Sequence, residues 1–142
     1  MAFLRSILLF SILLISGCVS ESNPRPSSSD LIAGNDRFGK SWSIIHIDVG
    51  FGIVTPYSCI TDNNITYYPD GRYEVNEGLT KCHPDDPPGQ LGTWKFISDE
   101  VLQITIGDSI QTWNIESLSS SSHEIGSTFS EGYRTYLLVS SN

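Results

Sequence analysis

Residues 65–75 read Ile65-Thr66-Tyr67-Tyr68-Pro69-Asp70-Gly71-Arg72-Tyr73-Glu74-Val75. Two runs rich in β-branched and aromatic side chains flank Pro-Asp-Gly, which is the pattern of a β-hairpin. Asp-Gly supplies positive φ at the tip, either in a two-residue type I′ loop or in a type I turn closed by a glycine bulge. In the first register Tyr68 stands opposite Tyr73, and in the second Tyr67 does. Further out, Cys59 and Cys82 stand at matching distances on the two arms.

The same kind of signal recurs along the chain. Short runs with strand composition occupy 41–48, 64–68, 72–76, 92–97, 101–106, 110–115, 123–128 and 133–139, separated by Gly, Asp, Asn, Ser or Pro. In 101–106, Leu102, Ile104 and Ile106 point one way and Gln103 and Thr105 the other; Trp94 and Phe96 alternate with Thr93 and Lys95 in the same manner. Alternation breaks at Ile44-Ile45, which predicts a bulge. A turn is expected around 29–33, and no long stretch has helical spacing. Eight short strands at spacings of about 8–12 residues predict an all-β, antiparallel up-and-down meander, closed as a small barrel or stacked as a sandwich.

The chain has 142 residues, 8 Lys+Arg against 16 Asp+Glu, and a net charge of −8. That length suits one domain, and the charge argues against nucleic acid, which needs a basic footprint. At the N-terminus, Arg5 precedes an apolar run that is too short to span a bilayer and ends at Ser16-Gly17. This is the build of an export signal. Ile15-Ser16-Gly17-Cys18 resembles a bacterial lipobox, in which the cysteine becomes the lipidated first residue of the mature protein. The resemblance implies a signal peptide over 1–17, palmitate and other acyl chains on Cys18, and, with Val19 after it, sorting to the outer membrane. Residues 18–30, Ser- and Pro-rich, read as the lipidated cysteine and a flexible tether with a reach of roughly 20 Å. The folded domain is expected over 31–142.

Three cysteines thus divide into one and two. In an exported chain Cys59 and Cys82 meet an oxidising compartment, and their places on the hairpin arms favour a structural disulfide. A metal or redox pair would want a C-x-x-C or clustered histidines, which the sequence lacks.

The body is similar to the short lipocalin-like domains of bacterial envelope lipoproteins. The similarity rests on elements in order: Gly39-Lys40-Ser41-Trp42, Cys59, the 67–73 hairpin, Cys82, Gly92-Thr93-Trp94-Lys95-Phe96, Leu102-Gln103-Ile104 and Trp113-Asn114-Ile115-Glu116-Ser117-Leu118. Gly39 and Trp42 are separated by two residues where lipocalins have one, as G-x-W, and the other lipocalin signatures are absent. The resemblance implies a barrel of about eight strands that holds one small ligand or fills with its own side chains. It also implies that Trp42 belongs to the core, so that Trp94 and Trp113, with Tyr67 and Phe96, are the candidate ligand contacts.

Other constellations are weaker. His83-Pro84-Asp85-Asp86 with Asp62 and Glu77 reads as a solvated acidic loop rather than a cation site. His46 and His123 stand alone on strands. Asn64-Ile65-Thr66 is a sequon of a kind usually silent in bacteria, and Asp108-Ser109-Ile110 resembles an Asp-Ser/Thr-apolar O-glycosylation site. No G-x-S-x-G, H-E-x-x-H or paired acid and base appears, so catalysis and cofactors are not expected. The expectation is a lipid-anchored protein that binds a small apolar ligand. The alternative is an accessory subunit of an envelope complex that works through its surface.

Overall fold

The hairpin closes in the bulged register. In the computed structural model, which describes residues 25–141, Tyr67 opposes Tyr73 and Ile65 opposes Val75. The Tyr68 N–H donates to Arg72 O and the Gly71 N–H to Tyr68 O, both at 3.0 Å. Gly71 has φ 88°, the left-handed conformation that closes a type I turn with a bulge. Asp70 accepts from the Arg72 backbone N–H at 3.2 Å and from its Nε at 2.8 Å.

The element order is α1 (Ser28–Ala33), β1 (Lys40–Asp48), β2 (Ile53–Val54), α2 (Ser58–Thr61), β3 (Asn64–Tyr67), β4 (Arg72–Asn76), β5 (Gly89–Ser98), β6 (Val101–Ile106), β7 (Ser109–Leu118), β8 (Ser122–Phe129) and β9 (Gly132–Ser140). Neighbours pair antiparallel from β3 through β9, β1 pairs with β3, and β1 also pairs with β9. The sheet therefore closes into an eight-stranded barrel, with β2 a two-residue addition to the far end of β1. Closure removes the sheet edges that a sandwich would leave to be covered. All eight expected strands are present; β5 starts earlier and β7 runs further than the sequence predicts.

The expected bulge in β1 is there. Ile44 pairs with Leu138 and His46 with Leu137, leaving Ile45 as the extra residue. After it the inward parity is restored, and Ile47 meets Tyr136. Two further register shifts, between Phe96 and Ser98 and between Ile115 and Ser117, had no visible sequence signal.

Residues 29–33 form not a turn but part of a short helix. Ser27 Oγ accepts from the Asp30 N–H at 3.1 Å, and the Asp30 carboxylate accepts from the Ser27 N–H at 3.0 Å, a reciprocal capping box. The helix thus begins inside the stretch expected to be tether. Its Ile32 and Ala33 are buried in the barrel core. The Trp42 Nε1–H donates to Ile32 O at 2.7 Å and Lys40 Nζ to Leu31 O at 2.9 Å, so the carbonyls at the helix end are held by β1. Lys40 Nζ also bonds Ser120 O in the β7–β8 turn. This seals one end of the barrel.

The opposite end carries the long loops 49–63 and 77–88. The disulfide between Cys59, in α2, and Cys82 joins them, with Cα atoms 5.0 Å apart. The ladder stops at Asn64 and Asn76, so the bond links a helical turn to a loop rather than extending the hairpin arms. Between the loops the Gly78 N–H donates to Asn63 Oδ1 at 2.9 Å and the Thr80 N–H to Asp62 Oδ2 at 2.8 Å. A Cβ at Gly78 would lie 2.4 Å from Asp62 O, so only glycine fits there. Cys18 and the signal segment lie outside the described residues.

The chain between the bonded cysteines spans 23 positions, so loop closure contributes about 3 kcal/mol by the chain-entropy estimate. A Cys59→Ser/Cys82→Ser variant is therefore expected to lose about that much unfolding free energy in a urea titration, with the barrel still forming.

Candidate functional site

Strand alternation sends Tyr67, Tyr73, Ile104, Trp113, Ile125, Tyr136 and Leu138 into the barrel interior. There they surround a cavity of about 200 Å³. Ile44, Ile65, Ile104, Ile125 and Leu138 give it aliphatic lining, and Tyr67, Tyr73, Trp113 and Tyr136 aromatic lining, interspersed around the barrel. Gln111 is the one amide in the lining. No carboxylate, lysine, arginine or histidine reaches this surface among the described residues.

The four residues expected to contact a ligand separate into two pairs. Tyr67 and Trp113 line the cavity, on β3 and β7. Trp94 and Phe96 do not. The Trp94 backbone N–H bonds Gly71 O at 2.8 Å and its Nε1–H bonds Tyr68 O at 2.9 Å, so the indole is committed to holding the hairpin tip against the barrel. Phe96 meets the Trp94 ring edge-on, with centroids 5.9 Å apart. Trp42 is fully buried at the sealed end, as the resemblance implied. Tyr73, Tyr136 and Gln111 were not singled out from sequence. Tyr73 would have followed from Tyr67 had the register been known, because the two oppose each other across the hairpin.

The aromatic rings fall into two groups. Tyr67 meets Tyr73 and Trp94 edge-on at 5.2 and 5.6 Å. On the other side Trp113 meets Tyr136 at 5.5 Å and Phe129 at 5.9 Å. Such edge contacts fix ring orientation as well as burying area.

Four side chains have buried polar atoms without a hydrogen-bond partner among the described residues: Asp62 Oδ1, Tyr67 Oη, Trp113 Nε1, and both ring nitrogens of His123. Burial, with a smaller contribution from Tyr73, holds the Tyr67 hydroxyl well above its usual range, so it stays protonated. His123 stacks on Trp42 with centroids 4.4 Å apart. Lys40 Nζ lies over the same indole, 4.4 Å from its centroid. Burial first, and Lys40 second, push the His123 pKa down to about 3, and burial lowers that of Lys40.

The acidic loop is tied up in its own backbone. Asp86 accepts from the His83 N–H at 2.6 Å, Asp62 from Thr80, and Glu77 from Asn63 Nδ2 at 3.3 Å. No cluster of three His, Cys, Asp or Glu suited to a metal ion occurs among the described residues. His46 is exposed on the outer wall, beside Asp48, Glu124 and Thr135.

No family model matches this chain, and no curated protein matches it. A solved structure that it resembles is a lipocalin-like protein from Bacteroides uniformis, with 13% identity and a TM-score of 0.49, covering 68% of this chain and 93% of that one. At that identity no residue role passes from one chain to the other.

His123 binds a proton in the unfolded chain below about pH 6.5 but in the barrel only near pH 3. Stability is therefore lost as pH falls through that window, by up to about 1.4 kcal/mol per pH unit from this group. His123→Phe, which also removes two unpartnered nitrogens, should flatten that part of the pH–stability profile in chemical denaturation. An unchanged slope between pH 6 and 4 would refute the assignment.

Proposed function

We propose that this chain is a lipid-anchored protein of the bacterial envelope, sorted to the outer membrane, whose barrel binds a small apolar ligand without chemistry. The observation that carries this reading is the interior cavity. A dry apolar cavity of about 150 Å³ is enough to admit benzene, so one of about 200 Å³ suits a single ring with a short substituent. It is smaller than the roughly 300–1,000 Å³ of drug-sized sites. The lining binds and orients but pairs no nucleophile with a base.

The anchoring half of the proposal rests on the apolar run and Ile15-Ser16-Gly17-Cys18. The N-terminal segment enters the fold through α1 at the sealed end. A tether from Cys18 would place that end toward the membrane and the disulfide-tied loops away from it. Several acyl chains on one residue would anchor stably, at about 0.8 kcal/mol per buried CH₂.

A second reading, an accessory subunit that docks an envelope protein, is favoured by the apolar side chains displayed beyond the end of β1. Phe51 is 91% exposed, Tyr57 82%, and Ile53 68%. Isolated exposed hydrophobes are ordinary, but several within a few residues mark a contact surface.

Native mass spectrometry of the protein from its own host should show a co-purifying small molecule, and toluene should raise the melting temperature of wild type. Ile104→Trp, which fills the cavity, should weaken toluene binding at least tenfold while costing no more than about 1–3 kcal/mol of stability. A barrel with no bound mass and no toluene response would leave the accessory reading in its place. Separately, Cys18→Ala should move the protein out of membrane fractions, and unchanged partitioning would refute lipidation.

A further inference from the structure

The end of the barrel sealed by α1 displays an exposed aromatic ring on a fixed turn. Phe38 is 70% exposed, while its backbone N–H donates to Asp36 Oδ1 at 2.8 Å and the Gly39 N–H to Asp36 O at 3.3 Å. The Arg37 guanidinium lies over the Phe38 ring, 5.0 Å from its centroid. The hairpin tip repeats the pairing, with Arg72 over Tyr68 at 4.2 Å. The turn and the tip meet across a groove of about 260 Å³ lined by Asn35, Asp36, Arg37, Pro69, Asp70 and Arg72. We infer that this end of the barrel rests on a phospholipid surface, with the Phe38 ring between headgroups and a zwitterionic headgroup in the groove, its phosphate against Arg37 and Arg72 and its ammonium against Asp36 and Asp70. The inference rests on the reading that Cys18 carries the lipid anchor, and adds to it the face that touches the bilayer and the headgroup it takes.

The covalent constraint comes first. Arg25 stands seven positions after Cys18, so even a fully extended chain keeps it within about 25 Å of an acylated cysteine. Helix α1 begins three residues later, at the sealed end. A contact made by a tethered body is intramolecular, so one too weak to hold a free protein is enough to orient this one. Surface chemistry then decides which face lies down.

The sealed end has the chemistry of a bilayer interface. Arginine beside an exposed ring puts an apolar body at the boundary of headgroups and acyl chains and a cation at the phosphates. Arg72 spends only its Nε on Asp70, at 2.8 Å, and Arg37 makes no hydrogen bond among the described residues, so both offer terminal N–H groups to an oxyanion. Two carboxylates balance these two guanidiniums in the groove, which matches a phosphate joined to an ammonium rather than a headgroup of net negative charge. Asp99 and Glu100, in the β5–β6 turn on the same side, and the net charge of −8 add repulsion from an anionic surface. The opposite end shows more apolar surface, at Phe51, Tyr57 and Leu79. Its loops, however, carry Asp62, Glu77, Asp85 and Asp86 against one lysine, Lys81, so lipid phosphates repel it and it faces away.

The test uses the full chain with its acyl group, first confirmed by intact mass, in nanodiscs of phosphatidylethanolamine and phosphatidylcholine that contain a headgroup nitroxide. Backbone amide intensities are read by ¹H–¹⁵N NMR with the nitroxide oxidised and then reduced. Amides of 35–38 and 70–72 are expected to lose about threefold more intensity than those of 51–57 and 79–86, the mark of one favoured orientation. Phe38→Ser is expected to bring that ratio to about one with the melting temperature unchanged, because the ring it removes is exposed. Arg37→Glu should lower the ratio as well. Replacing about a third of the lipid by phosphatidylglycerol should reduce it, and an equal or higher ratio there would overturn the headgroup assignment. Equal broadening of the two ends, stronger broadening of 51–57, or a ratio that Phe38→Ser leaves in place would each overturn the inference, while an acylated Cys18 leaves the anchor reading intact. A mass without an acyl group would overturn both together.

Discussion

The ladder between β1 and β9 is the constraint on which everything else in this molecule depends. It joins residues 42–48 to 135–140, the two ends of the described chain, and converts a meander into a barrel. Without it β1 and β9 would be open edges, and the side chains that now share an interior would lie on an open sheet. The ladder is long-range, so its loop-closure entropy must be met by what it buries: Trp42 and Leu138, both fully buried, with Ile44 and Tyr136 behind them. Closing a sheet this small also demands bending, and the three bulges at Ile45, Ile97 and Glu116 supply it.

The two ends of the barrel are finished by different chemistry. At one, a six-residue helix is too short to be stable alone, and it persists because Ile32 and Ala33 are buried while Trp42 and Lys40 take its terminal carbonyls. Lys40 carries a positive charge into that corner, over the face of Trp42 and near His123. The histidine is neutral there chiefly because it is buried, and secondarily because of that charge. At the other end two long loops, one of them carrying α2, are held by a covalent bond and by backbone bonds to Asn63 and Asp62.

Between these ends the interior is neither packed solid nor wide. The rings that fill it are the larger residues of strands too short to enclose much more. What distinguishes the cavity from an ordinary packing defect is that it is lined by Tyr67 and Trp113, whose polar atoms have no partner, while equivalent atoms on Trp42 and Trp94 were provided for by backbone carbonyls.

Much of the fold was legible. Alternation in 101–106, the Pro-Asp-Gly tip and the broken alternation at Ile44-Ile45 are local patterns, and local patterns determine strands, turns and bulges because the backbone responds to neighbouring residues. The pairing of Cys59 with Cys82 was legible too, although the bond joins a helical turn and a loop that no periodicity announced. The hairpin register was not, because both turn types accept Asp-Gly, and only the pairing of Tyr67 with Tyr73 shows which was taken. The site was half legible. Inward parity is shared by Trp42, Trp94, Phe96 and Trp113, so sequence alone could say that these side chains point into the barrel. Which of them meets the cavity depends on depth along the barrel and on which carbonyl lies within reach of an indole, and both are set by strands far apart in the chain. Sequence thus determined which residues are interior, and the closed tertiary structure alone decided that Tyr67 and Trp113, rather than Trp94 and Phe96, face the space a ligand would fill.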